Sequence, residues 1–324
     1  TEIYTLSLHD ALPILGGYVH RSGMLEEVVA ALGPRPGGRY LDATLGGGGH
    51  AEAILEASSP SGWLYGMDRD EVAVAVAGER LARFAGRYEL RQGSFAALGD
   101  WIEAGSCDGV LFDLGVSSPQ LDWAERGFSF QQDGPLDMRM DRRQRLTAAD
   151  LVNEASRDEL ARIFLGLGEE HEAKRLARAI DGERLKQRFE TTRQLASLIE
   201  RVKPRRGARV HPATKVFQAL RMAVNDELGA LRAGLAAALE VVRPGGRIAV
   251  ITFHSVEDRV VKAFGKAQAR EYDYAGEVDV PELRQPRAAR LRWVERKALV
   301  AGAVELADNP RSRSARLRLM ERLI

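Results

Sequence analysis

The sequence lacks the features that would assign it to a specialised class of protein. Its 324 residues include one cysteine, Cys107, so no disulfide can form within the chain and no Cys/His spacing for zinc is present. The net charge is +1, and no apolar run reaches the roughly 18 to 20 residues that cross a bilayer. These absences exclude a disulfide-stapled domain and a membrane-spanning protein. They predict a cytoplasmic chain that binds no metal.

The length of the chain is sufficient for two domains, or for one large domain that carries an insertion. The first fifteen residues, TEIYTLSLHDALPIL, begin without Met and lack the cationic start and apolar core of a signal peptide. We therefore expect residues 1–17 to be an artefactual or disordered N-terminus that takes no part in the fold.

Short apolar runs alternate with helical stretches from residue 39 onward, which is typical of βα units around a parallel sheet. The predicted strands are 39–44, 63–68, 88–92, 107–115, 247–254 and an antiparallel strand near 316–319. Residues 116–145 form a polar loop, and 146–200 show helical periodicity alone. The sequence thus predicts an α/β fold, a doubly wound sheet formed by 18–125 and 210–324. A helical substrate-binding domain at 126–209 interrupts it.

A run of four glycines, Gly46–Gly49, lies between the first strand and its helix and is followed by His50. Missing side chains let a ligand approach the backbone, and a helix N-terminus offers free N–H groups. Asp68 ends the second strand, about 20 residues further on, where a carboxylate can accept hydrogen bonds from ribose hydroxyls. This pattern suits NAD and S-adenosylmethionine equally.

The fourth predicted strand favours methyl transfer over hydride transfer. It ends at Asp113, and Ser117-Ser118-Pro119-Gln120 follow over the same edge of the sheet. An exocyclic amine has its lone pair delocalised into the base, so acceptors must hold its N–H groups during methyl transfer. Hydride transfer makes no such demand. The alternative is that Asp113 only caps a turn.

Several segments together resemble the bacterial 16S ribosomal RNA cytosine-N4 methyltransferase family (RsmH/MraW), from Leu25 to about Arg322. They are DATLGGGGHAEAIL, DGVLFDLGVSSPQLDWAERGFSF, HPATKVFQALRMAVNDEL, PGGRIAVITFHSVEDR and NPRSRSARLR. The resemblance implies a class I S-adenosylmethionine-dependent methyltransferase with an inserted helical domain. It also implies methylation of N4 of a cytidine in the decoding region of 16S rRNA within the small ribosomal subunit.

Position by position, the resemblance implies a set of donor-binding residues: Gly48, Gly49, His50, Asp68, Phe95, Asp113 and Gln120. The loop and His50 would face the methionine end, Asp68 the ribose and Phe95 the adenine. The target amine would be positioned by Asp113, Ser117, Ser118 and Pro119, with His254 near the base or the RNA backbone. Simpler roles are open for two of them: His50 could cap its helix, and Phe95 could be a core residue.

Basic residues are concentrated in two segments, since 201–215 hold six basic and no acidic residues, and 284–324 hold eleven basic and four acidic. We expect Arg201–Arg209 and Arg311–Arg318 to grip rRNA phosphates, the alternative being solvated arginines. The sequence leaves open whether the chain forms a homodimer. The rival functions are an NAD-dependent oxidoreductase, a DNA or other RNA amino-methyltransferase, and a non-catalytic ribosome-assembly factor.

Overall fold

The computed structural model describes residues 22–205, 207, 210–274 and 279–324, excepting the side chains of 118, 119, 308, 310 and 311. The segment 1–17, expected to lie outside the fold, is not among them. The chain forms two compact units. One comprises the chain up to Gly115 together with Gly229–Ile324, and the other comprises Val116–Leu228.

The first unit is built around one eight-stranded sheet. The strands in chain order are β1 (Arg39–Asp42), β2 (Trp63–Asp68), β3 (Tyr88–Gln92), β4 (Cys107–Asp113), β5 (Val242–Thr252), β6 (Tyr272–Tyr274), β7 (Arg284–Pro286), β8 (Leu291–Trp293), β9 (Leu299–Val300) and β10 (Arg316–Arg322). Strands β1 to β5 are parallel in the order β3-β2-β1-β4-β5, and β10 lies antiparallel between β5 and β8. Strand β9 pairs with β10, while β6 and β7 form a separate hairpin. The predicted doubly wound sheet, with an antiparallel strand near the end of the chain, is confirmed.

Helices connect the strands and form all of the second unit's regular structure outside short turns and bridges. In chain order they are α1 (Leu25–Leu32), α2 (Gly49–Ala57), α3 (Glu71–Leu81), α4 (Ser118–Asp122), α5 (Ala148–Glu154), α6 (Arg157–Gly168), α7 (Ala173–Arg184), α8 (Thr192–Val202), α9 (Thr214–Val224), α10 (Glu227–Val241), α11 (Ser255–Gln268) and α12 (Ala303–Asp308). Helices α4 to α9 belong to the second unit, and α10 continues from it into the first.

Both faces of the sheet are covered, which explains why its strands are continuous apolar runs in the sequence. In β5, Ile248 and Val250 pack on one face with Leu235 of α10. Ala249 and Ile251 pack on the opposite face, in a core shared with α1 and α2. Successive side chains of a strand point to opposite faces, so one short segment stabilises two layers of helices.

The order of the parallel strands reverses between β1 and β4, and ligand crevices in doubly wound sheets open at that point. The chain leaves β1 through the glycine-rich loop and leaves β4 at Asp113. Two hydrogen bonds hold these exits together: Ala43 N–H donates to the Leu111 carbonyl, and Asp113 N–H donates to Oγ1 of Thr44 (2.6 Å). The carboxyl ends of β1 and β4 therefore lie side by side.

The second unit has its own apolar core, to which α5 to α9 contribute. Two of its helices begin with capping boxes that the sequence already contains, Thr147 with Asp150 and Thr191 with Gln194. The unit spans Val116–Leu228 and so extends beyond 126–209 at both ends. The reason at the C-terminal end is that α9 packs against α6 and contributes its apolar face to this core.

Candidate active site

The loop between β1 and α2 has a backbone conformation that requires glycine. Gly46 (φ +50°) and Gly48 (φ +77°) are in the left-handed region, where other residues are strained. A Cβ on Gly48 would also lie 3.1 Å from the Cβ of Ala77. Gly48 is the N-cap of α2, whose first N–H groups have no partner within the helix. The loop thus presents bare backbone at the switch point.

Asp68, at the end of β2, is placed beside this loop as the sequence predicts. Its Oδ2 accepts the Gly46 N–H (2.8 Å) and its Oδ1 accepts the Asp70 N–H (2.9 Å). Burial raises the pKa of Asp68 to about 6, although the two backbone hydrogen bonds act in the opposite direction. The carboxyl is therefore mostly ionised at neutral pH and has lone pairs left for a polyol.

His50 and Asp113 face each other across the crevice. His50 lies in the first turn of α2 with 4% of its side chain exposed, and its Nε2 is 3.3 Å from Oδ2 of Asp113. Neither ring nitrogen meets hydrogen-bond geometry with a described residue, and Oδ1 of Asp113 is buried without a hydrogen-bond partner. His50 does not cap its helix through its side chain. The imidazole is directed at Asp113 instead.

Asp42 is a third carboxyl at this edge and is fully buried, and it is not among the residues predicted from the sequence. The residue is 1% exposed; Oδ1 accepts the Thr44 N–H (3.2 Å), whereas Oδ2 has no hydrogen-bond partner in the described chain. Burial raises the pKa of Asp42 to about 7, with Asp113 and Asp68 adding to the rise and His50 opposing it. The available clue was its position as the last residue of the first parallel strand, four residues before Gly46.

Phe95 follows β3 and is half-buried at the edge of the core. Its ring meets that of Phe112 edge-on (centroids 5.4 Å apart, planes at 90°), and the Arg69 guanidinium carbon lies 5.6 Å from its centroid. Gly234 of α10 approaches so closely that a Cβ there would lie 2.7 Å from the ring. Phe95 therefore packs as a core residue while part of its ring stays accessible.

The predicted residues Ser117 to Gln120 belong to the second unit. Gln120 is buried, and its Oε1 accepts the Ser117 N–H (3.1 Å), which closes the first turn of α4. The side chains of Ser118 and Pro119 lie outside the described part of the chain. The sequence analysis placed this segment in a loop, and the short helix α4 corrects that prediction.

His254 begins α11, after β5. Its Nδ1 accepts the Glu257 N–H (3.4 Å), and its Nε2 lies 2.8 Å from Oε1 of Glu257. The other Glu257 oxygen accepts the Phe253 N–H (2.9 Å). His254 is therefore the N-cap of α11, a local structural role that leaves its predicted contact with substrate as a prediction.

The C-terminal basic segment is used partly within the fold. Arg318 is 10% exposed and its guanidinium is bound to the buried carboxylate of Asp258, which Lys262 and Arg316 also approach. Burial acts to raise the pKa of Asp258, but Arg318 and Lys262 together lower it by more, so the net pKa is below the ordinary value. Arg318 is therefore held in an ion pair within the fold, and its contact with phosphate stays a prediction.

The other basic segment lies in the second unit, where its residues differ in their surroundings. Arg201 is exposed, and Lys203 pairs with the buried carboxylate of Glu170 (2.7 Å). Arg206 and Arg209 lie outside the described residues, as does the side chain of Arg311. A cavity of about 500 Å³ opens in this unit. Among the side chains lining it are Arg188, Phe189, Arg193 and Arg201.

Two classes of feature are absent from the described ranges. No group of three or more His, Cys, Asp or Glu residues there is arranged to hold a metal ion. Likewise, none of the helices in those ranges combines the length and apolarity needed to cross a bilayer.

Comparison with known proteins finds methylases that are similar to this chain over most of its length. A family model, the MraW methylase family, matches residues 17–323. The chain is 50% identical over 299 residues to ribosomal RNA small subunit methyltransferase H of Syntrophotalea carbinolica, covering 90% of this chain and 94% of that protein. It is 51% identical over 298 residues to the protein of the same name from Geobacter sulfurreducens, covering 90% and 95%. A solved rRNA methylase from Streptococcus thermophilus aligns with 95% of this chain and all of its own, at 11% identity and a TM-score of 0.40.

Proposed function

The chain belongs to the MraW methylase family, and on that premise we propose that it methylates N4 of a cytidine in the decoding region of 16S rRNA, in the cytoplasm. It is a methyltransferase that uses S-adenosylmethionine. Its relatives, half identical in sequence over nearly their whole length, are named ribosomal RNA small subunit methyltransferase H. The choice of cytidine N4 rests on the sequence resemblance together with the carboxylates of the crevice.

The observation that carries the proposal is a pair of buried carboxylate oxygens, Oδ2 of Asp42 and Oδ1 of Asp113, for which the described residues provide no hydrogen-bond partner. Buried polar groups are almost always paired, so unpaired ones at a ligand crevice indicate a missing partner. S-adenosylmethionine carries a sulfonium and an ammonium, both cationic, and the target base carries an amine. The residues present therefore fit this donor and this class of acceptor.

The donor would be held by the loop around Gly46–Gly49 at its methionine end, by Asp68 at the ribose and by Phe95 at the adenine. S-adenosylmethionine supplies a methyl group activated by the positive sulfur. Gln120, Ser117, Ser118, Pro119 and His254 stay assigned to donor or amine by the resemblance alone.

Asp113 supplies the acceptor that the amine requires. Its Oδ1 accepts an N4–H of cytosine and localises the nitrogen lone pair toward the methyl group. When bound, the donor would supply its methyl group to N4, and Asp113 would take up the proton lost from N4 and release it to solvent. The cytidine must leave its stack to reach this position, as in other enzymes that modify a base. Positioning then does most of the catalysis.

The helical unit is proposed to bind the rRNA around the target. Arg188, Arg193 and Arg201 line its cavity and are each exposed, so their charges are available to phosphates. Acidic neighbours partly neutralise them, since Arg193 lies 3.9 Å from Asp133. Binding through such residues depends on salt, and recognition would rest on RNA shape and on unstacked bases.

The test is transfer of labelled methyl from S-adenosylmethionine to small ribosomal subunits that lack the modification, followed by nucleoside analysis. N4-methylcytidine at a single position supports the proposal, and Asp113→Asn should form it much more slowly. Methylation of duplex DNA instead of the subunits would overturn the substrate, and absence of donor binding by calorimetry would overturn the site. Sedimentation of the same preparation measures whether the chain is a homodimer.

A further inference from the structure

His50 is buried among carboxyl groups that come from three different elements. Asp113 ends β4, Asp42 ends β1, and Glu305 lies in α12; all three act on the imidazole electrostatically. Glu52, on the same helix as His50, is bound instead to Arg80 and Arg83. Among the described residues, the charged groups that act most strongly on His50 are therefore acidic, while the Arg80 guanidinium donates to the Gly47 carbonyl (3.0 Å) near the start of the helix.

This environment favours the charged imidazolium. Burial lowers the pKa of His50, but the adjacent Asp113 and the charges of Asp42 and Glu305 raise it by more, so the net pKa lies above the usual 6.5. Nε2 lies 3.3 Å from Oδ2 of Asp113, within ion-pair distance. Of the two Asp113 oxygens, Oδ2 is thus turned to His50, and Oδ1 has no hydrogen-bond partner in the part of the chain that the structure describes.

The orientation of His50 is fixed by the packing of its helix. The preceding residue, Gly49, sits against the buried Ser22, whose Oγ would overlap a Cβ at that position. Glu305 accepts the Met24 N–H (2.6 Å) and the Ser312 hydroxyl, which ties the segment around Ser22 to the C-terminal part of the chain. The start of α2 therefore packs against a segment that is itself held in place, and the buried imidazole has little freedom to turn away.

We propose that His50 is a positioning residue for methyl transfer: its imidazolium holds Oδ2 of Asp113 so that Oδ1 faces the exocyclic amine. The inference rests on the proposed function, since it presumes that Asp113 receives the amine. It differs from the role implied by the sequence resemblance, in which His50 contacts the methionine end of the donor. A pure donor contact would govern donor affinity, whereas a positioning residue governs the rate of the chemical step.

Steady-state kinetics on His50→Ala and His50→Gln separate these two roles. We expect His50→Ala to lower kcat about 100-fold, the cost of a misplaced catalytic group, while donor Kd by calorimetry changes less than about threefold. His50→Gln, which keeps an N–H near the position of Nε2, should recover part of kcat. The double variant with Asp113→Asn should be no slower than Asp113→Asn alone, because the two residues act as a unit. Loss of donor affinity with unchanged kcat in His50→Ala would overturn the inference. So would a double variant in which the separate effects of His50→Ala and Asp113→Asn on kcat multiply.

The pH dependence gives a second reading. The imidazolium exists below the pKa of His50, so kcat of the wild type should fall as pH rises through that value, and His50→Gln should lack this limb. Asp42 and Asp68 also titrate in this region, so the comparison is made between the two proteins and not from one profile. If kcat falls with rising pH in the same way in the wild type and in His50→Gln, the result would count against a charged His50.

Nuclear magnetic resonance titration of His50 requires no activity and therefore separates failure of the inference from failure of the proposed function. Asp113→Asn removes the charge facing Nε2 and should lower the pKa of His50. An unchanged His50 titration in a folded Asp113→Asn protein would refute the ion pair. A wild-type protein that titrates as expected but forms no N4-methylcytidine would instead refute the proposed substrate.

Discussion

Asp42 should lower the stability of the free protein at neutral and alkaline pH, so its replacement by Asn should be stabilising there. The folded pKa of about 7 lies above the ordinary value of 3.8, so the folded state binds the extra proton and stability falls as pH rises through this interval. The shift of about three units corresponds to roughly 4 kcal/mol in full, at about 1.4 kcal/mol per unit. About half of that, ~2 kcal/mol, is lost between about pH 5.5 and pH 8.5.

Urea unfolding at a series of pH values measures this effect. Asp42→Asn should gain stability over the wild type by about 2 kcal/mol more at pH 8.5 than at pH 5.5, and should bind S-adenosylmethionine more weakly because a carboxylate is lost. Asp158→Asn is the matched control, since that carboxyl is 88% exposed and its loss should give no such pH-dependent gain. A stability difference between Asp42→Asn and wild type that does not change with pH would refute the reasoning.

Three further predictions address other parts of the molecule. Asp258→Asn leaves Arg318 buried without its anion and should cost about 3 kcal/mol of unfolding free energy at neutral pH. Since the folded pKa of Asp258 is lowered, this cost should shrink as the pH falls below about 4. Urea unfolding midpoints of both proteins at the two pH values would show the difference. Gly234→Ala places a Cβ against Phe95 and should cost about 1 to 3 kcal/mol while weakening donor binding, as measured by thermal melts and calorimetry. Arg193→Ala should weaken binding to small ribosomal subunits and reduce the slope of log affinity against log salt by about one; an unchanged slope would remove this residue from the RNA contacts.

The main architecture could be predicted because short stretches of the sequence indicate its strands, helices and turns. The alternation of apolar runs with helical stretches gave the parallel strands, and the glycines before His50 marked the turn at the switch point. Asp68 and Asp113 could be found because each ends a strand, and parallel strands bring such ends together.

What escaped prediction depends on contacts distant in sequence. In the sequence, Asp42 is only a polar residue at the end of a strand. The fold shows that none of the described residues donates a hydrogen bond to its Oδ2. The alternation around Arg318 correctly indicated a strand with one polar side. The pattern does not reveal that α11 covers that side with Asp258, which converts an apparently solvent-facing arginine into a buried ion pair. Likewise, the second unit reaches Leu228 because α9 packs on α6, and both helices are amphipathic in the sequence whichever unit they join.

The position of β10 sets the order in which this protein can be completed as it is synthesised. Strand β8 and strand β9 have β10 as their sheet partner, and β10 also flanks β5, yet β10 spans residues Arg316–Arg322. Glu305 and Ser312, which hold the segment before α1, come almost as late in the chain. A nascent chain that has already formed β1 to β5 therefore still lacks the strand that pairs with β5. It also lacks the contacts of Glu305 that hold the segment before α1. The enzyme that we propose to act on ribosomal subunits thus gains a finished donor pocket only after β10 has been synthesised.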